Sequence, residues 1–150
     1  MKVKIKKLVE NAVIPSYSKE GDAGMDLTAI DYKFEDGNDV YSTGLSIEIP
    51  KGYVGLIFPR SSNSKTDQYL TNHVGVIDSG YRGEILLKFR NLTTYINPKI
   101  INNFKPLYIY KTGDRIAQLI IIPYPQIEFE EVQELSETER GTGGYGSTGN

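Results

Sequence analysis

The sequence predicts an all-β domain, and three observations lead to this prediction. Apolar residues recur with a period near two, short β-rich segments are separated by turn-forming residues, and 150 residues suit one domain with a sizeable core. Alternation of this kind is typical of strands with one buried face. The separating residues include Gly21, Gly37, Pro50, Pro59, Gly80 and Pro98. Together these features favour an all-β barrel or sandwich.

The predicted strands can be placed in order along the chain. Lys2, Lys4, Lys6 and Lys7 are interleaved with Val3 and Ile5, which indicates a strand with one solvated face rather than a targeting signal. Further strands are predicted where these apolar residues alternate: Leu45, Ile47 and Ile49, then Val54, Leu56 and Phe58, and later Ile85, Leu87 and Phe89. The late run Leu119 to Ile122, preceded by Ile116, indicates a strand buried on both faces.

The C-terminal part of the chain has a different character. Phe129, Val132 and Leu135 are spaced by three, which allows a short helix there. Apolar residues almost vanish after Leu135, and five of the last ten residues are Gly. Such a segment cannot pack a core. We therefore expect residues 1–135 to form the β domain and residues 136–150 to form an arm that is flexible when the protein is empty.

Composition excludes several classes of chemistry. The chain has no Cys, so it forms no disulfide and no thiolate site, and its single His, His73, argues against a zinc cage or a Ser-His-Asp triad. A net charge of −2 gives no reason to expect binding to nucleic acid or to a membrane. No apolar run is long enough for a membrane span or a signal peptide, so a cytoplasmic protein is expected.

Five short segments carry residues suited to nucleotide chemistry: residues 23–29, 59–62, 72–84, 113–119 and 140–149. Each alone is a weak signal, because an Asp near a Gly is usually part of a turn and a Gly-rich tail is usually a linker. The tail also lacks the Lys of a Walker A loop. In this order and at these spacings, the five segments resemble the signature motifs of the trimeric dUTPase family.

The resemblance implies a fold and a reaction. The fold is a jelly-roll-like dUTPase β-barrel subunit with a Gly-rich C-terminal lid, assembled as a homotrimer whose three active sites are shared between subunits. The reaction is hydrolysis of dUTP to dUMP and pyrophosphate, with Mg²⁺ assisting the attack of water on the α-phosphate. This reaction limits uracil in DNA and supplies dUMP for dTMP synthesis.

The third motif supplies the predicted base and the predicted uracil pocket. Asp78 lies in a turn between two strand-like runs and by resemblance activates the attacking water. Asn72 offers an amide that matches a pyrimidine edge, and the backbone of Gly75, Val76 and Ile77 completes the pocket. A tight hairpin there is expected to exclude a thymine methyl. Tyr81 by resemblance lies against the deoxyribose, although its pattern also suits a core aromatic residue.

Two further motifs supply groups for the triphosphate. Arg60, Ser61, Ser62 and Gln118 carry donors suited to phosphate oxygens. Asp26 is expected either to anchor Mg²⁺ through water or to be purely structural. Asp114 and Arg115 are expected to stabilise the fold or the subunit contact rather than to touch substrate.

The Gly-rich tail supplies the predicted lid. Arg140 can pair with a phosphate in fork geometry, Ser147 and Thr148 can donate to phosphate oxygens, and Tyr145 can stack on uracil. Tyr145 stands where the family usually has Phe, and either ring can stack.

The stretch of residues 91–111 is longer than in compact members of the family. Insertions of this sort resemble those of phage-encoded members, some of which bind repressor proteins; for a phage-encoded protein the expected location is the host cytoplasm. An extra surface loop is the simpler alternative. Three other functions stay open at this point: a dCTP deaminase of the same fold, a regulatory protein that acts through the insert, and a β-sandwich binding module without enzyme activity.

Overall fold

The computed structural model describes residues 1–91 and 109–144. These residues form ten strands and one 3-10 turn, Ser61–Lys65. The strands are β1 Lys4–Lys7, β2 Met25–Thr28, β3 Asp31–Glu35, β4 Asn38–Ser42, β5 Leu45–Glu48, β6 Tyr53–Pro59, β7 Gln68–Leu70, β8 Gly75–Ile77, β9 Leu86–Asn91 and β10 Arg115–Pro123. No helix in the described ranges is long and apolar enough to cross a membrane.

The strands form three antiparallel sheets, which confirms the all-β prediction. The first sheet has the order β2-β10-β6-β8, the second has the order β3-β4-β9-β7, and β1 pairs with β5 alone. Asp36 and Gly37, both with positive φ, form the two-residue turn between β3 and β4. An Asp-Gly pair suits such a turn because its twist matches that of the flanking strands.

One hydrophobic core lies between the sheets. It combines side chains from all three sheets, so the sheets face one another across it. The alternating residues predicted to point inward do so: Leu45, Ile47, Ile49, Ile85, Leu87 and Phe89 are all buried. From β6, in contrast, Gly55 and Ile57 point inward, and the alternating residues Val54, Leu56 and Phe58 are half-buried on the opposite face.

The prediction that the late strand is buried on both faces is wrong for a single subunit. Ala117 and Leu119 of β10 point into the core, but Ile120 is only half-buried and Ile122 is 39% exposed. The physical reason is that these two residues lie on the outer face of the first sheet, opposite Leu56 and Val54 of β6. No other element of the described chain covers that outer face, which is consequently apolar and accessible.

The short helix allowed near residues 129–135 is also absent. After Tyr124, whose amide donates to the Gly52 carbonyl at 3.0 Å, the described chain has no helix, and Phe129 and Leu135 are almost fully exposed. A helix of this length is stabilised mainly by packing of its apolar face, and within the described chain this segment has nothing to pack against. Pro98 and most of the predicted insert lie outside the described residues.

Candidate active site

The segment around Asp78 connects two different sheets. β8 pairs with β6, whereas β9 pairs with β4 and β7. The prediction of a tight hairpin is therefore wrong, because the two strands that flank Asp78 do not bond to each other. They diverge from one another, and the space between them forms a cavity.

This cavity has a volume of about 300 Å³ and lies between β8 and β9. It brings together the four residues predicted to bind uracil, Asn72, Gly75, Val76 and Ile77. A Cβ atom at Gly75 would come within 3.2 Å of Ile57 Cβ and 3.4 Å of Asn72 Nδ2. Glycine at this position therefore keeps the space beside the Asn72 amide open.

A smaller cavity of about 160 Å³ adjoins it and shares Val76 and Ile77 as lining residues. Asp78 and Tyr81 both line this second cavity. Asp78 is exposed, and no residue of the described ranges hydrogen-bonds or ion-pairs with its carboxylate. Its oxygens are therefore available to a water molecule or a substrate.

Tyr81 lies at the surface of the molecule, so it is not the core aromatic residue that its pattern also allowed. Its ring is 43% exposed, and its hydroxyl donates to the Glu84 carbonyl at 2.9 Å. The ring lies over Gly83, where any Cβ atom would collide with it. The ring is thus held in one orientation beside Asp78.

The loop that carries Asp78 is held by several hydrogen bonds. Arg82 Nη1 donates to the carbonyls of Ser79 and Tyr81, each at 2.7 Å, and the Tyr81 amide donates to the Asp78 carbonyl at 3.1 Å. The Arg82 carbonyl in turn accepts from the Ser46 hydroxyl at 2.8 Å. These bonds fix the backbone that presents the free carboxylate.

A third cavity, of about 440 Å³, collects the residues predicted to bind phosphate. Arg60, Ser61, Gln118 and Asp26 line it. Gln118 Nε2 donates to the Pro59 carbonyl at 3.1 Å, and Arg60 Nη1 donates to the Ser62 hydroxyl at 3.2 Å, which joins Ser62 to the same cluster. The cavity therefore brings together the donors of the second and fourth motifs.

The guanidinium donors of this cavity suit an anion. Asp26 pairs with Arg60 Nε at 2.6 Å through Oδ1 and with Arg115 Nη1 at 3.0 Å through Oδ2. Asp22 also lines the cavity, so its two guanidinium groups are matched by two carboxylates and the formal charges cancel. Arg115 is half exposed and keeps donors free for a ligand oxygen.

Arg115 is a residue whose place in this cavity was not predicted from the sequence. The pairing of β10 with β2 is irregular between Arg115 and Ala117, so Ile116 and Ala117 are both buried in succession. This irregularity breaks the strict alternation along the strand. The role of Gly24 in this cavity was not predicted either. A Cβ atom at this position would lie 2.6 Å from Gln118 Oε1, so only glycine leaves the Gln118 side chain where it is.

The described part of the tail does not reach any of these cavities. Arg140 is exposed, and its Nε donates to the carbonyl of nearby Gly143 at 3.0 Å. Tyr145, Ser147 and Thr148 lie outside the described residues. Within residues 1–91 and 109–144 there is no group of three His, Asp or Glu side chains that could hold a metal ion.

Comparison with known proteins identifies the family. A family model described as dUTPase matches residues 10–149, which is most of the chain. The chain belongs to the dUTPase family. It is a dUTP diphosphatase, which hydrolyses dUTP to dUMP, and its antiparallel β fold is that of the dUTPase β-barrel.

Individual relatives agree with this assignment. The chain is 43% identical to the deoxyuridine 5'-triphosphate nucleotidohydrolase of Nautilia profundicola, with 99% of each chain covered. It is similar in structure to the dUTPase of Staphylococcus bacteriophage 80alpha with dUPNHPP, with a TM-score of 0.80, 33% identity and 99% of each chain covered. A mutant dUTPase from phage phi11 of S. aureus, described as coordinating a structural Mg(II) ion, has a TM-score of 0.70 and 30% identity, with 89% of this chain and 98% of that chain covered.

Proposed function

We propose that the chain cleaves dUTP by a Mg²⁺-assisted attack of water on the α-phosphate, with Asp78 as the general base. The observation that carries this proposal is the cavity pair between β8 and β9, where an exposed and unpaired Asp78 carboxylate lies beside a pyrimidine-sized space. The reaction limits uracil in DNA and supplies dUMP for dTMP synthesis, and we place it in the cytoplasm, or in the host cytoplasm for a phage-encoded enzyme.

The uracil ring occupies the larger cavity in this proposal. The Asn72 amide can donate to a uracil carbonyl and accept from the ring N–H, which are the groups of the pyrimidine edge. In this proposal the residues of β8 and β9 that line the cavity exclude the additional methyl group of thymine. We assign Tyr81, which lines the smaller cavity and bonds to the Glu84 carbonyl, to the exclusion of a ribose 2′-hydroxyl.

Asp78 then acts on the water that attacks phosphorus. The carboxylate accepts a proton from this water as the water oxygen bonds to the α-phosphorus, and the bond from that phosphorus to the α,β-bridging oxygen breaks. The electron pair of the broken bond leaves with pyrophosphate, and dUMP remains. Because the carboxylate has no competing partner in the described chain, it is free to hold the water.

The phosphate chain is assigned to the third cavity, which is called the phosphate cavity below. Arg60, Ser61, Ser62 and Gln118 donate to its oxygens, and these donors stabilise the charge that develops on the leaving group. Mg²⁺, when bound, neutralises further phosphate charge. Direct coordination of Mg²⁺ by Asp26 is disfavoured, because each of its oxygens already accepts from a guanidinium group whose positive charge repels a second cation.

Asp26 nevertheless keeps acceptor capacity for a hydrated ion. A carboxylate has about four lone-pair sites, and the two guanidinium contacts use two of them. Mg²⁺ retains several of its waters in proteins, so Asp26 can accept from such a water while the phosphates bind the ion.

We propose in addition that the enzyme is a homotrimer with shared active sites. The uracil cavity and the phosphate cavity have no lining residue in common within one subunit. The outer face of the first sheet is apolar, through Val54, Leu56, Phe58, Ile120 and Ile122, and it lacks a cover. Apposed copies would bury this face and bring complementary cavities together.

Mixing two inactive variants tests the shared site. Asp78→Asn disables the water-activating half, and Gln118→Ala combined with Ser61→Ala disables the phosphate half. After joint refolding at equal amounts, about one quarter of the sites would combine two intact halves if each half comes from a different chain. Activity that stays at the level of the separate variants would show that each site is built from one chain. Light scattering gives the subunit number independently.

We assign the lid function to residues 136–150. Arg140 and the hydroxyls of Ser147 and Thr148 can bind phosphate, and Tyr145 can stack on uracil. Truncation after Glu139 is expected to leave the fold intact, to weaken discrimination between dUTP and dUMP, and to cut turnover heavily. Hydrogen exchange with and without a non-hydrolysable dUTP analogue is the direct test, and equal exchange of the tail in both states removes the lid from the mechanism.

Pyrophosphate release from dUTP, dTTP, dCTP and UTP with Mg²⁺ tests the proposed specificity. Release from dUTP alone is expected, whereas ammonia release from dCTP would support the deaminase alternative. Binding of a repressor protein by the insert rests on the resemblance to phage-encoded members. Residues 92–108 lie outside the described structure. The alternative, that the insert is only a surface loop, therefore stays open.

A further inference from the structure

The 3-10 turn Ser61–Lys65 carries the two serines assigned to phosphate binding. Apolar packing contributes little to holding this turn against the rest of the fold. None of its side chains is buried, and the preceding residue, Arg60, makes no capping bond through its side chain. The position of Ser61 and Ser62 therefore depends on polar contacts, which are the bond from Arg60 Nη1 to the Ser62 hydroxyl at 3.2 Å and the contacts made by the rest of the turn.

Asn63, the middle residue of the turn, makes those contacts with both atoms of its side-chain amide. Its Nδ2 donates to the Gln68 carbonyl at 3.0 Å, and its Oδ1 accepts from the Tyr110 hydroxyl at 3.2 Å. A side chain bonded on both sides has one orientation. The turn is thus connected to two residues that lie outside it.

Tyr110 is itself firmly fixed in the core. Its ring is 5% exposed and packs edge-on against Tyr41 and Phe89, with centroids 6.4 and 5.5 Å away. Its amide donates to Gln68 Oε1 at 2.8 Å, and Gln68 Nε2 donates to the buried Asp39 carboxylate at 2.7 Å. The Tyr110 hydroxyl therefore projects from a rigid buried network.

We infer that Asn63 and Tyr110 are positioning residues for the triphosphate: their hydrogen bond sets the place of Ser61 and Ser62 in the phosphate cavity. This inference rests on the proposed phosphate-binding role of that cavity. Neither residue touches the substrate in it. Both act through the turn, so their loss should weaken the binding of phosphate groups and leave the binding of the nucleoside unchanged.

Tyr110→Phe is the direct test, because it removes only the hydroxyl and keeps the ring in the core. Tyr32→Phe is the matched control, since the Tyr32 hydroxyl bonds to Asp39 Oδ1 at 2.8 Å in the same network but does not contact the turn. Asn63→Ala is a second variant at a half-buried position, and it keeps the inference testable if Tyr110→Phe folds poorly.

The first measurement is hydrogen exchange of the amides in residues 61–66 in the full-length chain. Tyr110→Phe and Asn63→Ala should raise that exchange by several-fold over wild type, and Tyr32→Phe should not. The second is the dissociation constant of a non-hydrolysable dUTP analogue and of deoxyuridine, which has no phosphate. The analogue should bind about threefold to tenfold more weakly to the two variants, the scale of one hydrogen bond, and deoxyuridine should bind as before.

The outcomes separate this inference from the proposed function. Unchanged exchange in residues 61–66, or an equal loss of affinity for the analogue in Tyr32→Phe, overturns the inference while wild-type cleavage of dUTP leaves the function standing. Failure of the wild-type chain to release pyrophosphate from dUTP overturns the function instead, and the exchange data still decide whether Asn63 and Tyr110 hold the turn.

Discussion

Arg60 donates from Nε to Asp26 Oδ1 at 2.6 Å, and this ion pair determines how the Arg60 guanidinium group is oriented in the phosphate cavity. Asp26→Asn should weaken binding of a non-hydrolysable dUTP analogue about tenfold, the scale of a lost charge-assisted hydrogen bond. The loss should occur with Mg²⁺ and with EDTA, because holding the guanidinium group needs no metal. A larger loss of affinity with Mg²⁺ than with EDTA would measure the contact of Asp26 with a water bound to Mg²⁺. A loss seen only with Mg²⁺ would refute the role of Asp26 in holding Arg60.

Asp78→Asn should nearly abolish turnover and leave the affinity for the dUTP analogue close to that of wild type. The amide keeps the shape of the side chain but cannot take a proton from water, and a lost general base costs about two orders of magnitude or more in rate. Single-turnover rates and analogue binding separate the two effects. A near-native rate would assign the base to another group.

Tyr81→Ala should lower dUTP cleavage and narrow the ratio of dUTP to UTP efficiency, because removal of the ring opens space for a 2′-hydroxyl. Tyr81→Phe is its control: it loses the bond to the Glu84 carbonyl but keeps the ring. We expect the phenylalanine variant to retain most of the discrimination. Discrimination that survives in the alanine variant would show that Tyr81 does not select the sugar.

Alternation in the sequence was sufficient to predict the inward side chains of β9, because period two is a local property of a strand. Pairing between strands is not local, so the sequence could not show that β8 and β9 join different sheets and open a cavity. The same limitation applies to Ile122, whose exposure depends on what covers an outer face. The place of Arg115 in the third cavity could not be predicted either, because the irregular pairing between Arg115 and Ala117 has no sequence signature.

Gly24→Ala should raise the KM for dUTP and leave the fold intact. The new Cβ atom would lie 2.6 Å from Gln118 Oε1 and 3.3 Å from its Cβ and Cδ atoms, so the Gln118 side chain must move. That movement breaks its bond to the Pro59 carbonyl at 3.1 Å. An increase of about threefold to tenfold matches the loss of one positioned hydrogen bond. Steady-state kinetics would check this, and a KM equal to that of wild type would show that Gln118 tolerates displacement.

Ionisation of the buried Tyr41 hydroxyl should lower the free energy of unfolding at alkaline pH. Burial raises its pKa to about 12, and the nearby Asp39 carboxylate acts in the same direction. The folded pKa lies above the unfolded value near 10, so this stabilisation is complete below pH 10 and is lost as pH rises through 12. The difference in free energy of unfolding between wild type and Tyr41→Phe should fall by about 2–3 kcal/mol over that window. Denaturant unfolding at several pH values measures it, and a constant difference would refute the prediction.

The exposed segment that follows β10 makes the chain vulnerable in a particular way. No Lys or Arg lies between Arg115 and Arg140, and Arg140 is accessible. A protease that cuts after basic residues can therefore remove the last ten residues and leave all ten strands intact. If those residues form the lid, a stored preparation would lose turnover while its circular dichroism and melting temperature stayed the same. Mass spectrometry of the C terminus is then the better measure of its quality.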